Sequence, residues 1–371
     1  MLPYTKHEIS QDDINAVVKV LESGCLTKGP NVELFEQKIC DYTGAKYAVA
    51  VSSGTAALHA ALHAARVYKE TIVNVPTLSF AATANCVTYV GALVNFMDID
   101  PIDLLANTHT AQKQAVTTIL TDYAGNVAYH PRMITDPISI SDACHSLGGN
   151  FAGNKVGTLA DITCFSFHPA KAITTGGEGG MLVTNNHIYA KRARTFRDHG
   201  IEIDLQTREK LNTPYYDIAD IGYNYRMTEM QAALGVSQLK RLDENIEKRR
   251  ELVTRYNELI YNDRKIYDKD IIVPLKHQKG SACNLYVINW AWMKQYRDIA
   301  YMVMRSKGVG VALHYPLIHT MSAYHGNQGV GMCPVAERAI DHLMTLPLFP
   351  SMKLEDVDFV VKSLYDVIHC N

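Results

Sequence analysis

The sequence predicts an α/β protein with a large, mostly parallel central-sheet domain and a smaller C-terminal α/β domain. Three observations carry this reading. Short apolar runs alternate with helical stretches through the first half, the pattern of repeated strand–helix units. From Leu242 to Ile260 apolar residues recur at helical spacing among dense charge, which marks one long helix. Beyond that helix the strand pattern resumes on a smaller scale. With 371 residues the chain is about two and a half times a one-domain length, so it can bury a sizeable core without staples.

The elements follow in order. Ser10 and Asp13 make a capping-box-like start to an amphipathic helix with Ile14, Val17, Val18 and Leu21 as its apolar stripe. A turn over Cys25–Pro30 breaks it, and a second helix, about Val32–Tyr42, should bury Leu34, Phe35 and Ile39 and stop at Gly44. Tyr47–Val51 is an apolar strand, followed at once by Ser52, Ser53, Gly54 and Thr55 and an alanine-rich helix. Further strands are expected at Thr71–Val75, Ala92–Asp98, Ala115–Leu120, Ile138–Ser141, Ile162–Phe167 and Met181–Thr184. Thr228 and Gln231 cap a later helix. In the smaller unit the strands are Ile271–Val273 and Leu285–Trp290. The division falls near residues 240–250, giving domains 1–245 and 246–371 bridged by the long helix.

Composition excludes several classes. A formal net charge of −2 argues against a protein built to grip nucleic acid, whose footprint is usually strongly basic. The Glu247–Glu251 run, with its three cations, is the solvated face of the long helix. No apolar run reaches the roughly eighteen residues a membrane span needs, and the N-terminus shows no signal-peptide core. Eight cysteines at long, irregular gaps, without a C-x-x-C pair, read as reduced thiols of a cytoplasmic protein and not as a zinc site. No metal is expected: His59 and His63 stand four apart but lack the glutamate of a zinc motif, so packing is the plainer reading. Gly308 and Gly310 are too few for a dinucleotide fingerprint.

Three segments could carry chemistry. Gly54 and Thr55 open a helix directly after a strand, where unpaired N–H groups and the helix dipole suit a phosphate; alone, they read as well as an ordinary N-cap. Asp142 ends a predicted strand, on the side where ligands bind in open α/β sheets, though it too could be only a helix cap. Lys171 stands alone in a loop of small and apolar residues, with glycines at 176, 177, 179 and 180. Desolvation there would lower its pKa toward nucleophilic use, with a surface lysine as the alternative. Taken together, a helix-end phosphate site, a strand-end aspartate and a desolvated lysine make a pyridoxal-phosphate constellation.

Here the sequence resembles the DegT/DnrJ/StrS family of nucleotide-sugar aminotransferases, a branch of the fold-type I pyridoxal-phosphate enzymes. The likeness runs through Leu26–Gly29, Ser53–Leu58, Pro76–Asn85, Asp142–His145, Ser166 with Lys171, Gly177–Gly180, Gly222–Arg226, His314–His319 and Leu346–Pro350. It implies Lys171 as the lysine linked to the cofactor and Asp142 as the partner of the pyridinium nitrogen. His145 should contact the ring hydroxyl and Phe80 should stack on the ring face. Gly54, Thr55 and Ser166 correspond to phosphate ligands, and Asn224 to an asparagine sent across from the partner subunit of a homodimer with shared active sites. Thr27, Lys28, His314, Tyr315 and His319 fall where the family touches its substrate. The related sugar dehydratases carry histidine at the position of Lys171, so that activity is disfavoured.

The implied reaction is transfer of the amino group of L-glutamate, leaving 2-oxoglutarate, to C4 of a nucleotide-linked 4-keto-6-deoxy sugar, with UDP as the expected nucleotide. Alternatives are a 3-keto-sugar aminotransferase and a non-catalytic pyridoxal-phosphate-binding regulator. Two departures from the family pattern bear on substrate choice: a displaced proline between His314 and His319, and Asn284 where many relatives have histidine.

Overall fold

The computed structural model describes residues 1–128, 137–203, 205–262, 272–290, 294–324 and 331–369. Its centre is a seven-stranded sheet made of β1 (Tyr47–Val51), β2 (Ile72–Pro76), β3 (Leu93–Met97), β4 (Thr117–Thr121), β5 (Ile138–Asp142), β8 (Ile162–Ser166) and β9 (Gly180–Thr184). Between β5 and β8 the two-residue strands β6 (Asn150–Phe151) and β7 (Asn154–Lys155) form a separate small ribbon. The spatial order is β1-β9-β8-β5-β4-β2-β3. Strands β8, β5, β4, β2 and β3 pair in parallel, while β9 pairs antiparallel with both neighbours. β9 therefore runs against the other six. Its N-terminal Gly180 lies at the edge where β1, β4, β5 and β8 end, and the site gathers at that edge.

The sheet is covered on both faces, so its strands read as nearly unbroken apolar runs. The helices of this half are α1 (Gln11–Glu22), α2 (Pro30–Thr43), α3 (Gly54–Ala64), α4 (Ala82–Tyr89), α5 (His187–Arg197), α6 (Leu205–Lys210) and α7 (Glu229–Leu239). The alanines of α3 are buried on every side, which lets this helix lie close against β8 and β9. The carboxylate of Glu229 accepts from the backbone N–H groups of Gly29 (2.9 Å), Asn31 (2.7 Å) and Val32 (3.2 Å), and so caps α2 from a neighbouring helix. A side chain at Gly29 would collide with it.

Then α8 (Leu242–Asn262) leads to a three-stranded antiparallel sheet of β10 (Ile272–Pro274), β11 (Tyr286–Trp290) and β12 (Leu343–Leu346), with β11 central. Helices α9 (Lys294–Ser306), α10 (Pro334–Ile340) and α11 (Leu354–His369) complete this part. Its core, around Tyr256, Tyr286, Met304 and Leu364, is distinct from the clusters beneath the large sheet. Ile271, expected to begin a strand, lies outside the described residues, as does Cys370. β12 adds a strand that apolar patterning alone did not reveal.

Two expectations about burial need correction. On α1, Ile14, Val18 and Leu21 are exposed, and the buried face carries Asp13 and Val20. Asp13 accepts from Gln238 Nε2 (2.7 Å) and Arg241 Nη2 (2.8 Å), and these bonds turn the polar edge of α1 toward α7. On α2, Phe35 and Ile39 are buried but Leu34 is exposed. Among the described residues no helix is long and apolar enough to cross a membrane.

Candidate active site

The site is built where strand ends, one helix start and one loop converge. After β1, Ser53 caps α3, its Oγ accepting from Ala56 N at 3.1 Å. That leaves the N–H groups of Gly54 and Thr55, the first two of the helix, with no acceptor inside it. Gly54 is required for this approach: a Cβ there would lie 2.8 Å from Ser166 Cβ and 3.2 Å from Cys144 Sγ. The glycines of the lysine loop serve the same closeness. A Cβ on Gly180 would meet Ser53 O at 2.2 Å, and one on Gly179 would meet Thr175 Oγ1 at 2.1 Å.

Lys171 follows β8 in a loop closed by Phe167 N→Gly179 O (2.9 Å), Thr175 N→Phe167 O (3.1 Å) and Thr175 Oγ1→Glu178 O (2.8 Å). From α7, Gln231 Nε2 donates to Glu178 O (2.7 Å) and ties the far side of the loop. Burial disfavours the ammonium and lowers the lysine pKa, against the pull of nearby Cys144 and Asp142. A lysine prepared in this way is a nucleophile and a proton carrier.

At the end of β5, Asp142 is 5% exposed. Its Oδ2 accepts from Thr83 Oγ1 (2.7 Å) and its Oδ1 from Cys144 N (3.4 Å). It makes no direct ion pair among the described residues, although Lys171 lies near enough to feel its charge. His145 beside it is buried; its Nε2 meets Tyr315 OH (3.0 Å), while Nδ1 has no partner among the described residues. Burial, then the charge of Lys171 and the nearby His314, holds this imidazole well below its usual pKa, so it is neutral. Burial and Lys171 likewise lower His314, to about 4. Its Nδ1 meets Thr345 Oγ1 at 2.9 Å.

These groups line one cavity of about 400 Å³, within the usual range for small-ligand sites. Gly54, Thr55, Phe80, Asp142, His145, Ser166, Lys171, His314 and Tyr315 all face it, as expected. Phe80 is 58% exposed at its mouth, its ring 5.7 Å from that of Tyr315. Four expected residues do not line this cavity. His319 is 0% exposed, with its ring nitrogens on Thr77 Oγ1 and Glu337 Oε1 (3.1 Å); it braces the wall, which corrects its expected role as a substrate contact. Thr27 bridges to Thr228, Lys28 Nζ pairs with Asp198 (2.7 Å), and Asn224 bridges to Asp198. These three cluster on a surface separate from their own chain's cavity. Tyr4, Ser53, Thr83 and Asn284 are functional neighbours that sequence reasoning did not assign: Thr83 orients Asp142, and the others line the cavity. Ser53 and Thr83 lay inside motifs of the family likeness, Asn284 was marked as a departure from the family pattern, and Tyr4 carried no signal. His59 and His63 are packed among Tyr89, Phe196, Tyr223 and Tyr225, as their packing reading required.

The cavity fits pyridoxal 5′-phosphate on its own terms. Unpaired helix N–H groups suit the phosphate, the buried Asp142 with no direct ion pair suits a pyridinium, and the orphan His145 Nδ1 suits the ring hydroxyl. Family comparison agrees: residues 7–365 match the DegT/DnrJ/EryC1/StrS aminotransferase family. The chain belongs to that family. It is a pyridoxal-phosphate-dependent sugar aminotransferase. A UDP-4-amino-4,6-dideoxy-N-acetyl-beta-L-altrosamine transaminase of Campylobacter jejuni is 33% identical over 99% of this chain and 98% of its own. The Helicobacter pylori aminotransferase PseC, involved in pseudoaminic acid biosynthesis, superposes with a TM-score of 0.86 at 26% identity, covering 100% of both chains. NtdA from Bacillus subtilis with bound PMP gives 0.84 at 26%, covering 97% of this chain and 83% of that one.

Proposed function

We propose that this aminotransferase moves the amino group of L-glutamate to C4 of a UDP-linked 4-keto-6-deoxy sugar. The observation that carries the chemistry is the placement of desolvated Lys171 and buried Asp142 on one cavity with the open N-terminus of α3. The Campylobacter relative, a 4-amino-4,6-dideoxy-sugar transaminase by name, supports the position and the sugar class.

Pyridoxal 5′-phosphate, when bound, supplies an electron sink and a carrier for the amino group. Gly54, Thr55 and Ser166 would hold its phosphate, and Asp142, oriented by the Thr83 hydroxyl, would pair with its ring nitrogen. His145 would accept from or donate to the ring hydroxyl, and Phe80 would cover the ring. Lys171 Nζ removes the proton from the donor's Cα and returns one to the cofactor side; in the second half it runs the shift in reverse. Donor leaves as 2-oxoglutarate, acceptor as amino sugar, and the water consumed in one half is released in the other.

The working unit in this proposal is a homodimer with shared sites. Thr27, Lys28 and Asn224 sit together outside their own cavity, which supports a role for them at a second one. In the sequence around Asn224 the chain exposes Tyr215, Ile218, Ile221 and Tyr223, apolar side chains that a partner could cover. Division at residues 245/246 would make the second domain the part that closes on the substrate. The seven described cysteines are free thiols, in keeping with a cytoplasmic enzyme.

The test is a panel. Glutamate-loaded enzyme is mixed with UDP-, dTDP- and GDP-linked 4-keto and 3-keto sugars, and the return of the aldehyde-form absorbance is followed. Discharge by a UDP-linked 4-keto-6-deoxy sugar is expected; discharge only by a 3-keto sugar would overturn the assignment of position.

A further inference from the structure

Asn284 stands out among the cavity residues. It is 4% exposed, lines the cavity, and its Oδ1 is buried with no hydrogen-bond partner among the described residues. An orphaned buried carbonyl oxygen costs stability unless something later satisfies it.

Its backbone, by contrast, is tightly fixed. Asn284 N donates to Ala124 O (3.0 Å) and Ala282 N to Gly125 O (3.2 Å). Nearby, Gln278 N donates to Asn126 Oδ1 (3.0 Å) and Val127 N donates to Gln278 Oε1 (2.8 Å). The segment before β11 is thus clamped onto the chain that follows β4. Gly125 makes this possible, since a Cβ there would lie 2.8 Å from Cys283 N and 2.9 Å from Asn284 N. Cys283 adopts φ 49°, a left-handed conformation that a residue with a side chain seldom holds without compensation. Clamp and orphan together describe an unsatisfied side chain in the cavity wall, on a rigid mount.

We infer that the Asn284 carboxamide reads a neutral hydrogen-bonding substituent of the keto sugar, one that donates to its Oδ1. This rests on the aminotransfer reading above and deepens it. The orphan atom is an acceptor, and the carboxylates of L-glutamate have no hydrogen to donate to it, so they are not its partner. A ring hydroxyl and an acylamino N–H both supply the required donor. A site built around such a bond discriminates strongly against an analogue that lacks the donor, because its own polar group is then left unpaired.

The two half-reactions separate the possibilities. In single-turnover absorbance measurements, N284A and N284D are driven first with L-glutamate, then with the UDP-linked keto sugar that discharges the wild type. Expected is a glutamate half-reaction within about two-fold of wild type and a sugar half-reaction whose half-saturating concentration rises about ten-fold in N284A. Paired substrates bearing hydroxyl or acetamido at C2 then locate the donor: the one read by Asn284 loses most of its advantage in N284A. Equal losses in both half-reactions, weakened cofactor binding, or unchanged sugar kinetics in both variants would overturn the inference. If wild type is discharged by no keto sugar, the aminotransfer reading itself falls and takes this inference with it. If wild type is discharged and the variants match it, only this inference falls.

Discussion

At the residue scale the account depends on Lys171. Lys171→Ala should abolish turnover while leaving the cavity able to bind the cofactor's amine form; steady-state assay and cofactor absorbance check both parts, and retained turnover would contradict the role. Asp122, directly after β4, gives a second prediction. It is fully buried, bonded to Ser146 Oγ, Ser141 Oγ (3.4 Å) and Ala128 N (2.8 Å), with no ion pair among the described residues. Burial raises its carboxyl to about 7, with Asp142 adding to the rise and those hydrogen bonds opposing it. An ordinary unfolded aspartate titrates near 3.9, so between about pH 4 and 7 the folded state holds the extra proton. Stability from this group is therefore full below about pH 4 and is lost as pH rises through about 7. Asp122→Asn should flatten that part of the pH profile in urea unfolding; an unchanged slope would show the carboxyl is not the source. The sequence could mark Lys171 and Asp142 because an isolated lysine in an apolar loop and a strand-end acid are unusual. Thr83 and Tyr4 gave no such sign, since a threonine in a helix and a tyrosine near the terminus are ordinary until the fold brings them to the site.

At the scale of elements, the N-terminus of α3 is held against Ser166 by Gly54. Gly54→Val should push the helix away and weaken cofactor binding about ten-fold or more, measured by cofactor titration. Unaltered affinity would mean the helix start does not carry the phosphate. Glu229 offers a stability test that spares the cavity. Glu229→Ala leaves three N–H groups at the start of α2, two of them buried, without their acceptor, which should cost about 3 kcal/mol in urea unfolding. Strands β1, β2, β4, β5, β8 and β9 were legible to within a residue or two, because strands buried on both faces are continuous apolar runs. The rotation of α1 was not legible. Its apolar stripe said that the helix is amphipathic, but Asp13 is held inward by Gln238 and Arg241, more than two hundred residues away. No local pattern encodes that pairing. The same limit explains Leu34 and β12.

For the whole molecule, the division of site residues between two surfaces has a consequence. If Lys171 works with the partner subunit's Asn224, then inactive Lys171→Ala and Asn224→Ala chains should complement. Half of the dimers in an equal, re-equilibrated mixture are hybrids with one intact site, so activity should return to roughly one quarter of wild type. Absence of recovery, with exchange verified by mass, would place both residues in the same site or make Asn224 structural. Sequence reasoning reached the order of the site segments along the chain; it could not tell that Thr27 and Lys28 lie away from their own chain's cavity. The central claim, that Lys171 is the cofactor-linked lysine of an aminotransferase, has a direct measurement. Protein loaded with pyridoxal 5′-phosphate is reduced with borohydride before and after addition of L-glutamate, digested, and analysed by peptide mass. The account predicts a pyridoxyl mass on the peptide containing Lys171 before glutamate and its loss afterwards. An unlabelled Lys171, or a label that glutamate does not remove, would contradict it.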